Sequence, residues 1–204
     1  VESIRQEFEG RHHPHQGGDN IYDRSQRVVR SLNHASKWIY EQGPGGDGKG
    51  AGTTVVAMIF GHSPPQRAMV LHAGDSRAYL FRDNALEPMT IDHSLAAAAG
   101  FADESDVPVV FQGVITRAVG IYPHVQVELT PVAIQEGDLY LLCSDGLTRM
   151  LSDGEIQKTL RKHSRGELRA IIELLIDGAN RAGGDDNITI ILVRVGALTD
   201  MSQT

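Results

Sequence analysis

The sequence predicts an α+β fold in which antiparallel sheets and helices occupy separate parts of the chain. Apolar residues recur at helical spacing near the start and again toward the end, whereas the region between carries short apolar runs separated by turn residues. In a parallel α/β protein these two patterns would alternate. The 204 residues contain no internal repeat, and this length is within the range of one domain.

Helical patterns open the chain. A short apolar stripe covers 1–8, and a longer one over 22–40 carries Val28, Leu32 and Ile39 on one face. Trp38, on the longer helix, is predicted to be a core residue. A glycine-rich segment at 43–52 then separates helix from sheet.

Strands are predicted over 53–60, 67–73, 76–82 and 86–90, with turns at 64–65 and 83–84. Their spacing is typical of a β-meander. A weakly patterned stretch between 96 and 106 is expected to be a mobile excursion. Alternation typical of a strand resumes over 125–132.

The last third of the chain has the clearest signals. A buried strand is predicted over 139–143, and Ser152 with Glu155 forms a capping box that starts a helix ending near Lys162. A second amphipathic helix follows over 168–179, and the β-branched run 188–193 is predicted to be the final strand.

Two acidic turns adjoin these last strands. Asp145 follows the strand at 139–143, and Asp185 and Asp186 precede the strand at 188–193. If the two strands pair antiparallel, the turns converge, and a hard cation such as Mg²⁺ or Mn²⁺ would relieve the repulsion between their carboxylates. The alternative is a pair of ordinary strand-edge turns, where Asp, Asn and Gly are favoured in any case.

Composition limits the classes of partner. The formal charge of −7 and the isoelectric point near 5.7 argue against nucleic acids and anionic membranes, which require clustered Lys and Arg. No apolar stretch is long enough to cross a bilayer. The single cysteine, Cys143, lies in a predicted core strand, so a reducing compartment and a cytoplasmic location are expected.

Six motifs occur in an order and spacing that resemble the metal-dependent protein phosphatase 2C family, in its compact bacterial form. They are Gly-Thr-Thr-Val-Val from Gly52, Ala-Gly-Asp-Ser-Arg-Ala-Tyr from Ala73, Asp-His-Ser from Asp92, Thr-Arg-Ala-Val-Gly from Thr116, Ser-Asp-Gly-Leu from Ser144 and Gly-Asp-Asp-Asn from Gly184. The match spans about 52–195.

The resemblance implies two antiparallel sheets packed as a sandwich and flanked by helix pairs, with a two-metal site at one end. It also implies hydrolysis of phosphoserine and phosphothreonine in proteins through a water that bridges Mg²⁺ or Mn²⁺ ions, opposing a serine/threonine kinase. Asp145 and Asp186 correspond to ligands of the first ion, and Asp75 to the position of a third, weaker one. Residues 92–117 correspond to the flap beside the active site, and His93 at its start is expected to make a structural hydrogen bond.

The sequence also departs from the family. Members carry upstream an arginine that grips phosphate, a Glu-Asp pair and an Asp-Gly-x-Gly-Gly-His motif, and this chain contains none of them. We therefore expect residues 1–204 to be a single phosphatase domain that lacks its N-terminal strands and does not catalyse efficiently alone. Either the sequence omits an N-terminal segment of a complete enzyme, or it is a fragment without half of its metal ligands. We favour the first interpretation, because loss of interior strands would expose sheet edges and core. Two classes of function stay open: an enzyme, and a non-catalytic relative that binds phosphoproteins or a regulatory partner.

Overall fold

A computed structural model describes residues 20–43, 51–61, 67–101, 108 and 111–198. The helix predicted at 1–8 and most of the glycine-rich segment lie outside these ranges. The described helices are α1 (Ile21–Gln42), α2 (Leu95–Ala98), α3 (Asp145–Thr148), α4 (Asp153–His163) and α5 (Leu168–Arg181). The described strands are β1 (Val55–Phe60), β2 (Arg67–Ala73), β3 (Arg77–Arg82), β4 (Ala85–Pro88), β5 (Glu128–Ala133), β6 (Leu139–Cys143) and β7 (Ile190–Arg194).

These elements divide into two compact units. The first takes in the described residues of 1–62, with Arg67–Gly74 and Asp92–Val132; the second contains Asp75–Ile91 and the described residues from Ala133 onward. Each unit has its own sheet, with strand order β1-β2-β5 in the first and β4-β3-β6-β7 in the second. The predicted α+β class with two antiparallel sheets is confirmed.

In the first unit, helix α1 covers the three-stranded sheet. Its N-cap is Asn20, whose side chain accepts a hydrogen bond from the Tyr22 N–H. Val28 and Leu32 on its inner face share a buried apolar cluster with Met69 and Leu71 of β2. The helix therefore forms here because one apolar stripe has a sheet to cover.

Trp38 does not belong to that stripe, so its predicted place in the core is wrong. Its side chain is 64% exposed. It lies six positions after Leu32, and at 3.6 residues per turn this places it roughly 240° around the helix from the buried face.

In the second unit, strands β3 and β4 form a hairpin and helices α4 and α5 pack beside the sheet. The hairpin turn is the predicted Asp83-Asn84 pair, and both residues have positive φ angles, 52° and 64°, as a tight two-residue turn requires. Tyr79, Leu141, Ile156 and Leu175 are buried together in the core of this unit. The capping box of α4 forms as predicted, since Ser152 and Glu155 exchange side-chain to backbone hydrogen bonds.

The predicted β-meander is wrong at one junction. Strands β2 and β3 follow each other in sequence but belong to different sheets, so they do not pair. The chain leaves the first sheet at Gly74, whose φ is 118° and where a Cβ atom would overlap the side chain of Thr54. The Gly-Asp-Ser turn that suggested a hairpin is instead the crossing from one sheet to the other.

None of the helices in the ranges the structure describes combines the length and the apolar character needed to span a bilayer.

Candidate metal centre

The two acidic turns are hydrogen-bonded to each other at one end of the second unit's sheet. Strands β6 and β7 pair antiparallel, as predicted, with Cys143 opposite Ile190 at the end of the ladder. Beyond that pair the Ser144 N–H donates to the Thr189 carbonyl at 3.1 Å, and the Ser144 hydroxyl accepts from the Thr189 N–H at 3.0 Å. The same hydroxyl donates to the Asn187 carbonyl at 3.1 Å. The serine thus fixes the turn that carries Asp145 against the turn that carries Asp186.

Gly146 allows the turn that carries Asp145 to lie close to the turn that carries Asp186. A Cβ atom at this position would overlap the Asn187 carbonyl and lie 3.3 Å from the Asp186 carbonyl oxygen. The second turn is bent by Gly183 and Gly184, which have φ angles of 150° and 64°. Both turns therefore need glycine. In the first, the missing side chain permits the close contact, and in the second, glycine adopts the positive φ angles.

Asp75 lies at the same end of this sheet. Strand β3 pairs antiparallel with β6, and Arg77 is opposite Cys143. Asp75 precedes Arg77 by two residues and Asp145 follows Cys143 by two. The register therefore places both aspartates at the same end of the sheet. Asp75 and Asp145 are half-buried and Asp186 is exposed.

The contacts of these carboxylates suit a hard cation. Oδ2 of Asp145 lies 3.2 Å from a guanidinium nitrogen of Arg149, which therefore already neutralises part of this carboxylate's charge. Oδ1 of Asp186 accepts the N–H of Asn187 at 2.7 Å, which orients the side chain. Carboxylate oxygens are the ligands that Mg²⁺ and Mn²⁺ prefer. The oxygen ligands that these side chains offer are of the kind such an ion takes, and ligation of an ion by Asp75, Asp145 and Asp186 stays a prediction.

A different group also brings potential ligand atoms together. In the described part of the chain, His72, His93 and Glu128 of the first unit place one ligand atom each within 4.8 Å of one another. The two imidazoles are stacked, with centroids 4.4 Å apart and planes 12° from parallel. A ring nitrogen binds a metal along a lone pair in its own plane, and two stacked rings direct those lone pairs along separate planes. A guanidinium nitrogen of Arg117 also lies 3.0 Å from Nε2 of His93. This group therefore does not fit a cation.

Its contacts instead make His93 an anchor, which is the structural hydrogen bonding predicted for it. Nδ1 of His93 accepts the Gly74 N–H at 3.2 Å, and Nε2 lies 3.1 Å from Oε2 of Glu128. The His93 N–H donates to the Gly74 carbonyl at 2.9 Å, and the His93 carbonyl accepts the Thr116 N–H at 2.7 Å. His93 thus ties both ends of 92–117 to the residue before Asp75. Burial lowers the pKa of His93, although its hydrogen bond with Glu128 acts in the opposite direction.

Sequence reasoning missed two participants. Glu128 begins β5, far from His93 in the chain, and nothing local marks it as a partner. Arg149 was detectable, because it follows Asp145 by four residues, the spacing of neighbours on a helix.

Comparison with known proteins agrees with the six motifs. The family model for stage II sporulation protein E (SpoIIE) matches residues 20–196. The serine/threonine phosphatase stp of Listeria welshimeri is 36% identical over 151 residues, which cover 72% of this chain and 58% of the relative. Protein phosphatase PhpP of Streptococcus pneumoniae is 35% identical over 181 residues, 86% of this chain and 71% of the relative.

A solved structure is similar as well. The catalytic domain of the serine/threonine protein phosphatase PstP, in complex with two manganese ions, superimposes with a TM-score of 0.72 and 31% identity. The match covers 96% of this chain and 80% of that domain. The chain spans 58% of the length of the Listeria relatives. By motif, fold and identity, it belongs to the metal-dependent protein phosphatase 2C family in its bacterial form.

Proposed function

We propose that this chain contributes to the metal-dependent hydrolysis of phosphoserine and phosphothreonine in proteins. One observation carries the proposal: the turns of Asp145 and Asp186 are hydrogen-bonded to each other at the sheet end where Asp75 also lies. Membership of a family whose named relatives are serine/threonine phosphatases supports it. Magnesium or manganese is the cofactor that suits these carboxylates, and a similar catalytic domain holds two manganese ions.

In this proposal the side chains of the chain act as ligands. Asp145 and Asp186 would bind the first ion, and the Ser144 hydroxyl joins their turns by hydrogen bonds. When bound, the ions activate water for attack on phosphorus and neutralise charge on the phosphoryl oxygens. Asp75 would contribute a further carboxylate from the turn before β3.

The wider assignments follow from this activity. The substrate is a phosphorylated protein, and an opposing serine/threonine kinase must supply it, because each turnover consumes one phosphoryl group. We also propose that residues 1–204 belong to one phosphatase-type domain, in which 92–117 corresponds to the flap segment of the family. A cytoplasmic location remains a prediction, consistent with the single cysteine, Cys143, being buried.

The decisive experiment measures Mn²⁺-dependent hydrolysis of an aryl phosphate and of phosphoserine and phosphotyrosine peptides. Both the complete gene product and the 204-residue chain are assayed, with EDTA as the metal-free control. We expect the gene product to hydrolyse the aryl phosphate and the phosphoserine peptide in Mn²⁺ and to lose this activity in EDTA. Mn²⁺-dependent binding of phosphopeptide without turnover in either protein would instead establish the non-catalytic alternative.

A further inference from the structure

Arg149 holds one oxygen of a predicted metal ligand. Its guanidinium lies 3.2 Å from Oδ2 of Asp145. The backbone places it there: Arg149 is the C-cap of α3, and its N–H donates to the Asp145 carbonyl at 2.8 Å. The two side chains therefore begin one helical turn apart on the same face.

This contact affects any cation that uses the same oxygen. A carboxylate can serve two ions when each of its oxygens binds one, and Asp145 has a guanidinium at Oδ2. A divalent ion at Oδ2 would have to displace Arg149 or lie a few ångströms from its positive charge. An ion that used only the other oxygen of Asp145 would not compete with Arg149 for the same atom.

An ordinary surface pair offers the simplest alternative explanation. The Arg169–Glu173 pair on α5 has the same four-residue spacing, with side chains 91% and 62% exposed. Such exposed pairs contribute little to the stability of a helix. The Arg149–Asp145 pair is less exposed, at 41% and 27%, and its carboxylate lies in one of the two hydrogen-bonded acidic turns. It is therefore more weakly screened and lies where a cation is expected.

We propose that Arg149 is a resident cation of the metal centre. It neutralises Oδ2 of Asp145 and would so weaken binding of a further ion that Asp145 would share with Asp75, while an ion held by Asp145 and Asp186 would be retained. Arg149 is thus a positioning residue that sets how many ions the centre holds. This inference rests on the proposed function, because it takes Asp145 as a metal ligand.

The test is the Mn²⁺ binding isotherm of the complete gene product, measured by titration calorimetry without substrate. Arg149→Gln removes the charge and Arg149→Lys keeps it, while Arg169→Gln removes an equal charge from a matched helical pair. We expect Arg149→Gln to gain a weaker Mn²⁺ site, or to bind the weakest ion at least about fivefold more tightly. Arg149→Lys and Arg169→Gln should retain the wild-type isotherm. Adding Asp75→Asn to Arg149→Gln should remove the gain.

The opposite results separate this inference from the proposed function. If Arg149→Gln binds Mn²⁺ as the wild type does, or changes no more than Arg169→Gln, Arg149 is only a surface pair and the inference is wrong. A gain that survives Asp75→Asn also overturns it. If Asp145→Asn keeps the wild-type isotherm, or neither the wild type nor Arg149→Gln binds Mn²⁺, the ligand assignment of the proposed function fails as well. Thermal melts establish that each variant is folded.

Discussion

At the scale of single residues, a buried ion pair holds the end of the second unit's sheet opposite the acidic turns. Asp138 is 2% exposed and receives two hydrogen bonds of 2.7 Å from Arg82. The Tyr140 hydroxyl and the Gln135 N–H donate to its Oδ2, each at 2.8 Å. Burial alone would raise the pKa of Asp138, but the hydrogen bonds from Arg82, Gln135 and Tyr140 outweigh it and lower that pKa.

Asp138→Asn should therefore destabilise the protein by about 2–3 kcal/mol, because it leaves the Arg82 guanidinium without its charged partner in a largely buried position. Urea unfolding at neutral pH measures this loss. Glu136→Gln, at an exposed neighbouring position, is the control and should stay within about 0.5 kcal/mol of the wild type.

The same pair predicts a pH dependence. The pKa of Asp138 is lower in the folded protein than in the unfolded chain, where it is about 3.9. Its contribution is thus complete above that value and is lost as the pH falls through the folded pKa. The stability gap between wild type and Asp138→Asn should shrink in acid, and a constant gap would refute the assignment.

The stability of the folded protein should also depend on pH through His93, in a range nearer neutrality. Burial lowers its folded pKa, opposed by Glu128 and assisted by the charges of His72 and Arg117. The unfolded chain then takes up this proton at a higher pH, so stability is complete above about 6.5 and declines as the pH falls toward the folded value. Asn keeps an acceptor for the Gly74 N–H but does not titrate. Urea unfolding between about pH 8 and 5.5 should show a shallower decline for His93→Asn, and parallel curves would contradict the assignment.

At the scale of elements, the centre depends on the contact between the turns that end β6 and begin β7. Antiparallel pairing of these strands was predictable from two apolar runs bounded by turn residues, and so was the capping box of α4. The hydrogen bonds of Ser144 were not, because they depend on how closely the turns approach. That distance is set by tertiary packing around Gly146.

Gly146→Ala tests this element directly. A methyl group there would overlap the Asn187 carbonyl, so the two turns must separate. We expect a loss of about 2 kcal/mol in stability and weaker Mn²⁺ binding, measured by urea unfolding and calorimetry. Gly154→Ala is the matched control, since its Cβ would meet nothing closer than the Ser152 hydroxyl at 4.0 Å. Equal effects of the two substitutions would show that the turn contact is unimportant.

At the scale of the whole molecule, local patterns predicted the fold class and most elements, but not which sheet each strand joins. The residues around Gly74 have the sequence pattern of a hairpin turn, although the chain crosses there from one sheet to the other. Only the pairing of strands that are distant in sequence distinguishes a hairpin from such a crossing. The exposed position of Trp38 has a similar cause, because an aromatic residue on an amphipathic helix is usually assigned to the core. His93, Glu128 and Arg117 are distant in sequence, so no local spacing predicts that they form a group.

The central claim is that Asp145 and Asp186 hold the ion on which hydrolysis depends. The most direct measurement is the Mn²⁺-dependent rate of aryl phosphate hydrolysis by the complete gene product carrying Asp145→Asn or Asp186→Asn, with Asp185→Asn as the adjacent control. We predict that the first two variants fold but lose Mn²⁺ affinity and at least about 100-fold in rate, while Asp185→Asn stays close to the wild type. Full activity in Asp145→Asn or Asp186→Asn would contradict the claim.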